Sequence, residues 1–144
     1  MSSRPMTPPE LAEYGCTWIA GHYDTFKALM MFVHREIDDG NPSVSRDEVY
    51  SIARESGMGV SEAREFKRDH NLWSVIARYM VMLNPRLARA LRFQKRPIDD
   101  VDLIAVWYQV VGSYPLFYAS NWMEAKELVA AGDVTAWGME KVIA

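Results

Sequence analysis

The chain has 144 residues, 49% of them hydrophobic and 24% charged, and carries a net charge of −3. These values are typical of one folded globular domain and exclude a disordered chain. The single cysteine, Cys16, excludes an internal disulfide and favours a reducing environment. The N-terminal residues lack the apolar core of a signal peptide, and the longest apolar run, interrupted by Arg78, is too short to cross a bilayer. We therefore expect a cytoplasmic protein with no membrane partner.

Charge is distributed unevenly along the chain. Residues 1–40 contain three basic and six acidic residues, and residues 97–144 contain two basic and seven acidic ones. Residues 41–96 contain eleven basic and six acidic residues, so the middle of the chain has a net charge of +5 between two acidic ends. The overall acidity argues weakly against nucleic-acid binding, but the basic middle is where an anionic partner is expected to bind.

The first forty residues predict helical structure. Thr7 is a typical N-cap, followed by prolines in the first turn and by an early acid, Glu10. Apolar residues then recur at helical spacing from Leu11 to Ile37. Gly21 interrupts this pattern, which predicts either two helices or one helix bent near that glycine.

The middle of the chain predicts three more helical segments. Ser45 and Glu48 have the spacing of a capping box, and Ser61 is the expected N-cap of the following helix. The nearly chargeless run 72–83 predicts a core helix. Pro85 requires a boundary after that run because proline disfavours helical geometry in the preceding residue.

The last third completes a helical protein. Asp99 or Asp100 is expected to cap a helix over residues 103–111, a further helix is expected over 116–131, and Asp133 is expected to cap a short terminal helix. No segment alternates polar and apolar residues with period two, so no strand is expected. The sequence predicts an all-α fold: a compact single-domain bundle of six to eight helices over residues 1–144.

Residues 46–68 resemble the helix-turn-helix family. A small residue lies four positions before a turn glycine, and apolar residues lie one, six and nine positions after it; the matching residues are Ala53, Gly57, Met58, Ala63 and Phe66. The small residue allows the two helices to cross closely, and the glycine allows a left-handed turn. The resemblance implies DNA reading by the second helix, while simple packing of a helical hairpin is the alternative.

The second helix of this element separates its charges by sign. One flank is basic and the other is acidic, so that i,i+4 neighbours carry like charges, which is unfavourable on an isolated helix. Such segregation predicts that each flank faces a partner inside or outside the protein. The basic flank is therefore a candidate partner-binding surface, formed by Arg64, Lys67 and Arg68.

Residues 85–96 predict a basic helix. Its inward face would be apolar, and the opposite face would carry an arginine stripe of Arg86, Arg89, Arg92 and Arg96. Arginine suits planar, bidentate contact with phosphate or carboxylate, so the stripe is a second candidate partner-binding surface. The alternative is that the acidic last third of the chain neutralises it internally.

No pattern in the sequence predicts an enzyme, a cofactor or a metal site. The three histidines lie far apart, outside zinc-ligand spacings, and the phosphate-binding and nucleophile motifs are absent. Aromatic residues are frequent in the last third, and Trp122 is the candidate interface anchor among them because Trp, Tyr and Arg dominate binding hot spots.

We therefore expect a small, non-enzymatic protein-interaction module of the inhibitor or adaptor type, using charged helix faces. Its general build is similar to that of small acidic helical proteins of phages and mobile elements. The alternative is a helix-turn-helix-like regulatory protein that binds nucleic acid. Both a monomer and a homodimer fit the sequence.

Overall fold

The structure, a computed structural model, describes residues 6–55 and 70–132. In these two ranges the chain forms six α-helices, two isolated 3-10 helices and no strand, which confirms the all-α prediction. The α-helices are α1 (Pro8–Gly21), α2 (Tyr23–Asp38), α3 (Arg46–Glu55), α4 (His70–Leu83), α5 (Leu103–Val110) and α6 (Trp122–Ala130). The 3-10 helices are Pro85–Arg89 and Pro97–Asp100. None of the helices in this part of the chain is long and apolar enough to cross a membrane.

The predicted N-cap at Thr7 and the predicted capping box at Ser45 are confirmed, and Thr7 also forms a capping box. The Thr7 hydroxyl accepts the Glu10 backbone N–H, and the Glu10 carboxylate accepts the Thr7 backbone N–H at 2.9 Å. Ser45 and Glu48 make the same reciprocal pair before α3, at 3.1 and 3.2 Å. Each box satisfies backbone donors that the first turn of a helix leaves without partners. Of the two options at Gly21, the structure shows two helices, with His22 between them.

Helix α4 is the centre of the fold. Its residues from Val75 to Leu83 are all buried, and the helix packs against α1, α6 and the segment that follows it. Gly15 on α1 allows the closest approach, since a Cβ at that position would collide with the side chain of Val75. The run 72–83 is therefore the core helix that the sequence predicts.

The predicted helix over residues 85–96 is wrong. Only Pro85–Arg89 is helical, as a 3-10 turn, and the chain continues without regular structure to Arg96. The reason is burial on more than one side, because Leu87, Ala88, Ala90 and Leu91 are all inside the core. The backbone carbonyls of this segment also serve other partners: that of Ala90 accepts the Val44 N–H, and that of Gln94 accepts Arg78.

Two predictions for the last third are also wrong in detail. The helix expected over 116–131 begins only at Trp122, where the Asn121 side chain accepts the Glu124 N–H at 2.8 Å. The residues before it are irregular because the backbone N–H groups of Tyr118 and Ala119 both donate to the carbonyl of Met82 at the end of α4. Asp102, rather than Asp99 or Asp100, caps α5. Asp99 is used elsewhere, in an ion pair with the core helix.

Several sequence predictions lie outside the described residues. These are most of the helix-turn-helix-like element, including Gly57 and Phe66, the basic flank Arg64, Lys67 and Arg68, and the terminal helix expected after Asp133. They stay predictions.

Candidate binding pocket

A pocket of about 580 Å³ opens between α4, the irregular segment after residue 90, and α6. Helix α4 contributes one wall, the segment contributes the opposite rim, and α6 contributes one lysine. The lining residues are Trp73, Ser74, Ala77, Arg78, Arg92, Phe93, Gln94, Arg96 and Lys126. The volume lies within the range of small-ligand and side-chain-binding sites in proteins.

The lining is strongly cationic. It includes three arginines and one lysine but no aspartate or glutamate. Arg92 and Arg96 are exposed, and Lys126 is half-buried. Within residues 6–55 and 70–132, no hydrogen bond or ion pair engages the side chains of these three residues. Their charges are therefore not neutralised by any residue in the described ranges.

Arg78 has a different role, at the inner end of the pocket. Its side chain is 2% exposed, and its Nε and one terminal nitrogen donate to both carboxylate oxygens of Asp99, at 2.7 and 3.1 Å. Its remaining N–H groups reach the carbonyl of Gln94 at 3.0 Å and the carbonyl and hydroxyl of Ser74. All five donors of the guanidinium are thus satisfied by the protein itself. Arg78 holds the pocket together and has no donor left for a ligand.

The Asp99 carboxylate completes this buried pair, with its side chain 1% exposed. Burial by itself would raise the pKa of Asp99. The hydrogen bonds from Arg78 and from the Arg96 backbone N–H, together with the Arg78 charge, outweigh burial, so the pKa of Asp99 lies below its ordinary value. Because the Arg96 backbone N–H donates to Asp99 at 2.9 Å, the same carboxylate that pairs with α4 also positions the rim of the pocket.

The arginine stripe is divided by the fold. Arg86 donates to Asp38 at 2.6 Å and to the Nδ1 atom of His34 at 3.0 Å, so α2 neutralises it. Arg89 is exposed outside the pocket, whereas Arg92 and Arg96 line it. The structure thus brings two of the four predicted arginines together, on an irregular segment rather than on one helix face.

The acidic last third does not cover these arginines in the part that the structure describes. Asp99 pairs with Arg78, Asp102 caps α5, and Glu124 accepts from the backbone and hydroxyl of Ser120. The neutralisation that the sequence suggested as an alternative does occur at Arg86, but the carboxylate comes from the N-terminal third.

Trp122 supports the pocket from behind. It is half-buried, and its ring stacks on Phe93 with the centroids 5.3 Å apart and the planes at 21°. The guanidinium of Arg78 lies 5.4 Å from the centroid of the Phe93 ring. Trp122 therefore fixes a lining residue, and the proposed contact between Trp122 and a partner stays a prediction.

Sequence reasoning did not identify Trp73, Ser74, Phe93 or Lys126 as site residues. One signal was present: Arg78 is the only charged residue in an otherwise apolar run, and a buried arginine requires a carboxylate partner. The spacing of Ser74 and Arg78, four residues apart on a helix, also places the two side chains on one face. Lys126 comes from a distant helix, and no local pattern points to it.

A second buried polar cluster lies in the core, away from the pocket. The Cys16 thiol donates to the Tyr79 hydroxyl at 3.1 Å, and that hydroxyl donates to the carbonyl of Leu103 at 2.7 Å. Burial raises the pKa of Cys16 to about 11, and burial also raises the pKa of Tyr79. Both groups are therefore protonated at neutral pH and act as links between α1, α4 and α5.

In the described ranges, no group of three or more His, Cys, Asp or Glu side chains is arranged to hold a metal ion. Comparison with protein-family models, with curated proteins and with solved structures found no match to this chain. Functional inference therefore depends on the pocket itself.

Proposed function

We propose that the chain is a non-enzymatic protein-interaction module that binds an acidic segment of a partner protein in the pocket. One observation carries the proposal: Arg92, Arg96 and Lys126 line one concave site and have no carboxylate partner among the described residues. Uncompensated like charges around a pocket repel each other, and an anionic ligand relieves that repulsion.

The chemistry of the lining supports binding rather than catalysis. It contains no His, Cys, Asp, Glu or Tyr, so its one hydroxyl, that of Ser74, has no histidine or carboxylate in the lining to act as a general base. The nearest carboxylate, Asp99, is held as an anion by Arg78. The cysteine thiol is buried in the core, with a raised pKa.

An acidic protein segment fits this surface better than a nucleic-acid backbone does. The free charges are gathered in one pocket, whereas a duplex requires cations spaced along its backbone. The chain is also acidic overall, with a net charge of −3, which repels a long polyanion. Nucleic-acid binding is the second candidate, because residues 89–96 contain four basic residues, Arg89, Arg92, Lys95 and Arg96, and no acidic one. The predicted contacts Arg64, Lys67 and Arg68 would add to this basic surface.

The proposal is tested by comparing the binding of two polyanionic probes. The labelled probes are a short oligoglutamate peptide and a random DNA duplex, measured by fluorescence anisotropy at low salt. We expect the peptide to bind the protein and the double variant Arg92→Glu/Arg96→Glu to abolish that binding. The matched control is Arg35→Glu/Arg54→Glu, which makes the same change of net charge at two exposed arginines of α2 and α3 outside the pocket and should bind as the original protein does.

Two results would contradict the proposal. The first is an equal loss of peptide binding in the charge-matched Arg35→Glu/Arg54→Glu control, which would show dependence on net charge alone. The second is tight, salt-dependent binding of DNA with no detectable binding of the peptide, which would favour the nucleic-acid reading. Circular dichroism of each variant checks that the helical fold is retained.

A further inference from the structure

We infer that the pocket recognises a phosphate monoester, carried as a phosphorylated side chain by the acidic partner segment. This inference rests on the proposed function and specifies the ligand of the same site. It follows from the set of donors that the pocket offers and from the absence of any carboxylate, histidine or cysteine in its lining.

The donors suit a group with several oxygens and more than one charge. Arg92 and Arg96 offer planar guanidinium forks that match phosphate oxygens in bidentate geometry, and Lys126 adds a third positive charge. A carboxylate carries one negative charge and two oxygens, whereas a phosphorylated side chain carries nearly two charges and three strong acceptors. Three uncompensated cations in one pocket are therefore matched more closely by the phosphate monoester.

Ser74 supplies an uncharged donor at the inner wall. Its hydroxyl oxygen already accepts a hydrogen bond from Arg78, so the hydroxyl proton is the group that remains to be donated. Within the described ranges no acceptor takes that proton. A phosphate oxygen would satisfy it, which would extend the hydrogen-bond chain from Asp99 through Arg78 and Ser74 to the ligand.

The aromatic lining does not favour a stacked nucleobase as the ligand. The ring of Phe93 is covered by Trp122, which stacks on it, and by the guanidinium of Arg78. Base recognition relies on free aromatic faces, and these two contacts reduce the face that Phe93 can offer to a base. The apolar part of the pocket is better suited to the hydrocarbon portion of a side chain that carries the phosphate.

Calorimetric titration with small probes tests the inference directly. Phenyl phosphate represents the dianionic monoester, phenyl sulfate is a monoanion of similar shape, and adenosine monophosphate represents a nucleotide source of the same phosphate. We expect phenyl phosphate to bind roughly tenfold more tightly than phenyl sulfate, because the dianion offers a second negative charge to the three cations of the lining. The affinity for phenyl phosphate should fall by a similar factor in each of the variants Arg92→Gln, Arg96→Gln and Lys126→Gln. It should not change in Arg35→Gln.

The pH dependence provides a separate readout. The second pKa of a phosphate monoester is about 6, so phenyl phosphate should bind more weakly as the pH falls from about 7.5 to about 5. Phenyl sulfate should show no such change. The lining contains no histidine or carboxylate, and the carboxyl of Asp99 behind it has a lowered pKa, so the loss would come from the ligand.

Three outcomes would overturn the inference. Equal affinity for phenyl phosphate and phenyl sulfate would show that the second charge is not recognised. Tighter binding of adenosine monophosphate than of phenyl phosphate would assign the pocket to nucleotides rather than to a phosphorylated protein. Binding of oligoglutamate but not of phenyl phosphate, with the former lost in Arg92→Glu/Arg96→Glu, would leave the proposed function standing and remove the phosphate assignment alone.

Discussion

The buried pair between Arg78 and Asp99 makes the strongest prediction about stability. Asp99→Ala removes two charge-assisted hydrogen bonds, at 2.7 and 3.1 Å, and leaves a guanidinium that is 2% exposed without its counter-ion. Hydrogen bonds to charged groups contribute about 1.5–3 kcal/mol each, and breaking a buried ion pair costs about 3–5 kcal/mol. We expect Asp99→Ala to lower the free energy of unfolding by about 3–5 kcal/mol.

A double-mutant cycle separates the pair from the burial of each side chain. Arg78→Met should also destabilise the protein, but Arg78→Met/Asp99→Ala should cost at least 1 kcal/mol less than the sum of the two single changes, since it leaves no unpaired charge. Urea denaturation followed by circular dichroism provides the free energies. The control is Asp100→Ala, an exposed neighbour that should stay within about 0.5 kcal/mol of the original protein.

The result that refutes this reasoning is additivity. If the double variant loses as much stability as the two single variants together, Arg78 and Asp99 do not interact energetically in solution. An Asp99→Ala effect no larger than that of Asp100→Ala would have the same meaning, and the pocket would then lack the rigid inner end on which the binding proposal depends.

Three further predictions concern the core and the response to pH. Gly15→Ala should lower the free energy of unfolding by about 1–3 kcal/mol because the added Cβ collides with Val75. Gly21→Ala should be neutral or slightly stabilising because its Cβ would meet no atom within 4 Å. Urea denaturation of both variants measures the difference. The Cys16 thiol, with a pKa of about 11, should resist a thiol reagent at pH 8 in the native protein and react when urea unfolds it, and rapid reaction without urea would contradict its burial. The lowered pKa of Asp99 contributes stability that is present above the unfolded pKa of about 3.9 and is lost as the pH falls through the lower folded pKa. Acid should therefore lower the free energy of unfolding of the original protein more than that of Asp99→Asn.

The local signals in the sequence were sufficient for the helix starts and for the core helix. Capping boxes at Thr7 and Ser45 depend on residues three positions apart, so the chain itself specifies them. Residues 75–83 of α4 are all buried, and their apolar composition predicts a core helix without any knowledge of its neighbours. The helix starts depend on interactions within one helix. The core helix is buried on all its faces over residues 75–83, so its assignment does not depend on which face packs against a neighbour.

The site was predicted only in part, and the reason lies in long-range contacts. Arg92 and Arg96 were identified from charge and residue type, but they were placed on a helix that does not form. Four apolar residues between positions 87 and 91 are pulled into the core, and the carbonyl of Gln94 is taken by Arg78, sixteen positions earlier in the chain. Helix propensity contributes less free energy than these tertiary contacts, so the contacts determine the backbone conformation of the segment.

The sequence by itself therefore determined that this protein is helical, where its core helix runs and which segment is basic. Only the tertiary structure decided which charges remain available. Arg86 is neutralised by Asp38 and Arg78 by Asp99, partners 48 and 21 positions away, whereas Lys126 joins Arg92 and Arg96 at one pocket. Ion pairing between distant residues depends on which helices meet in the fold, and neither spacing nor composition contains that information.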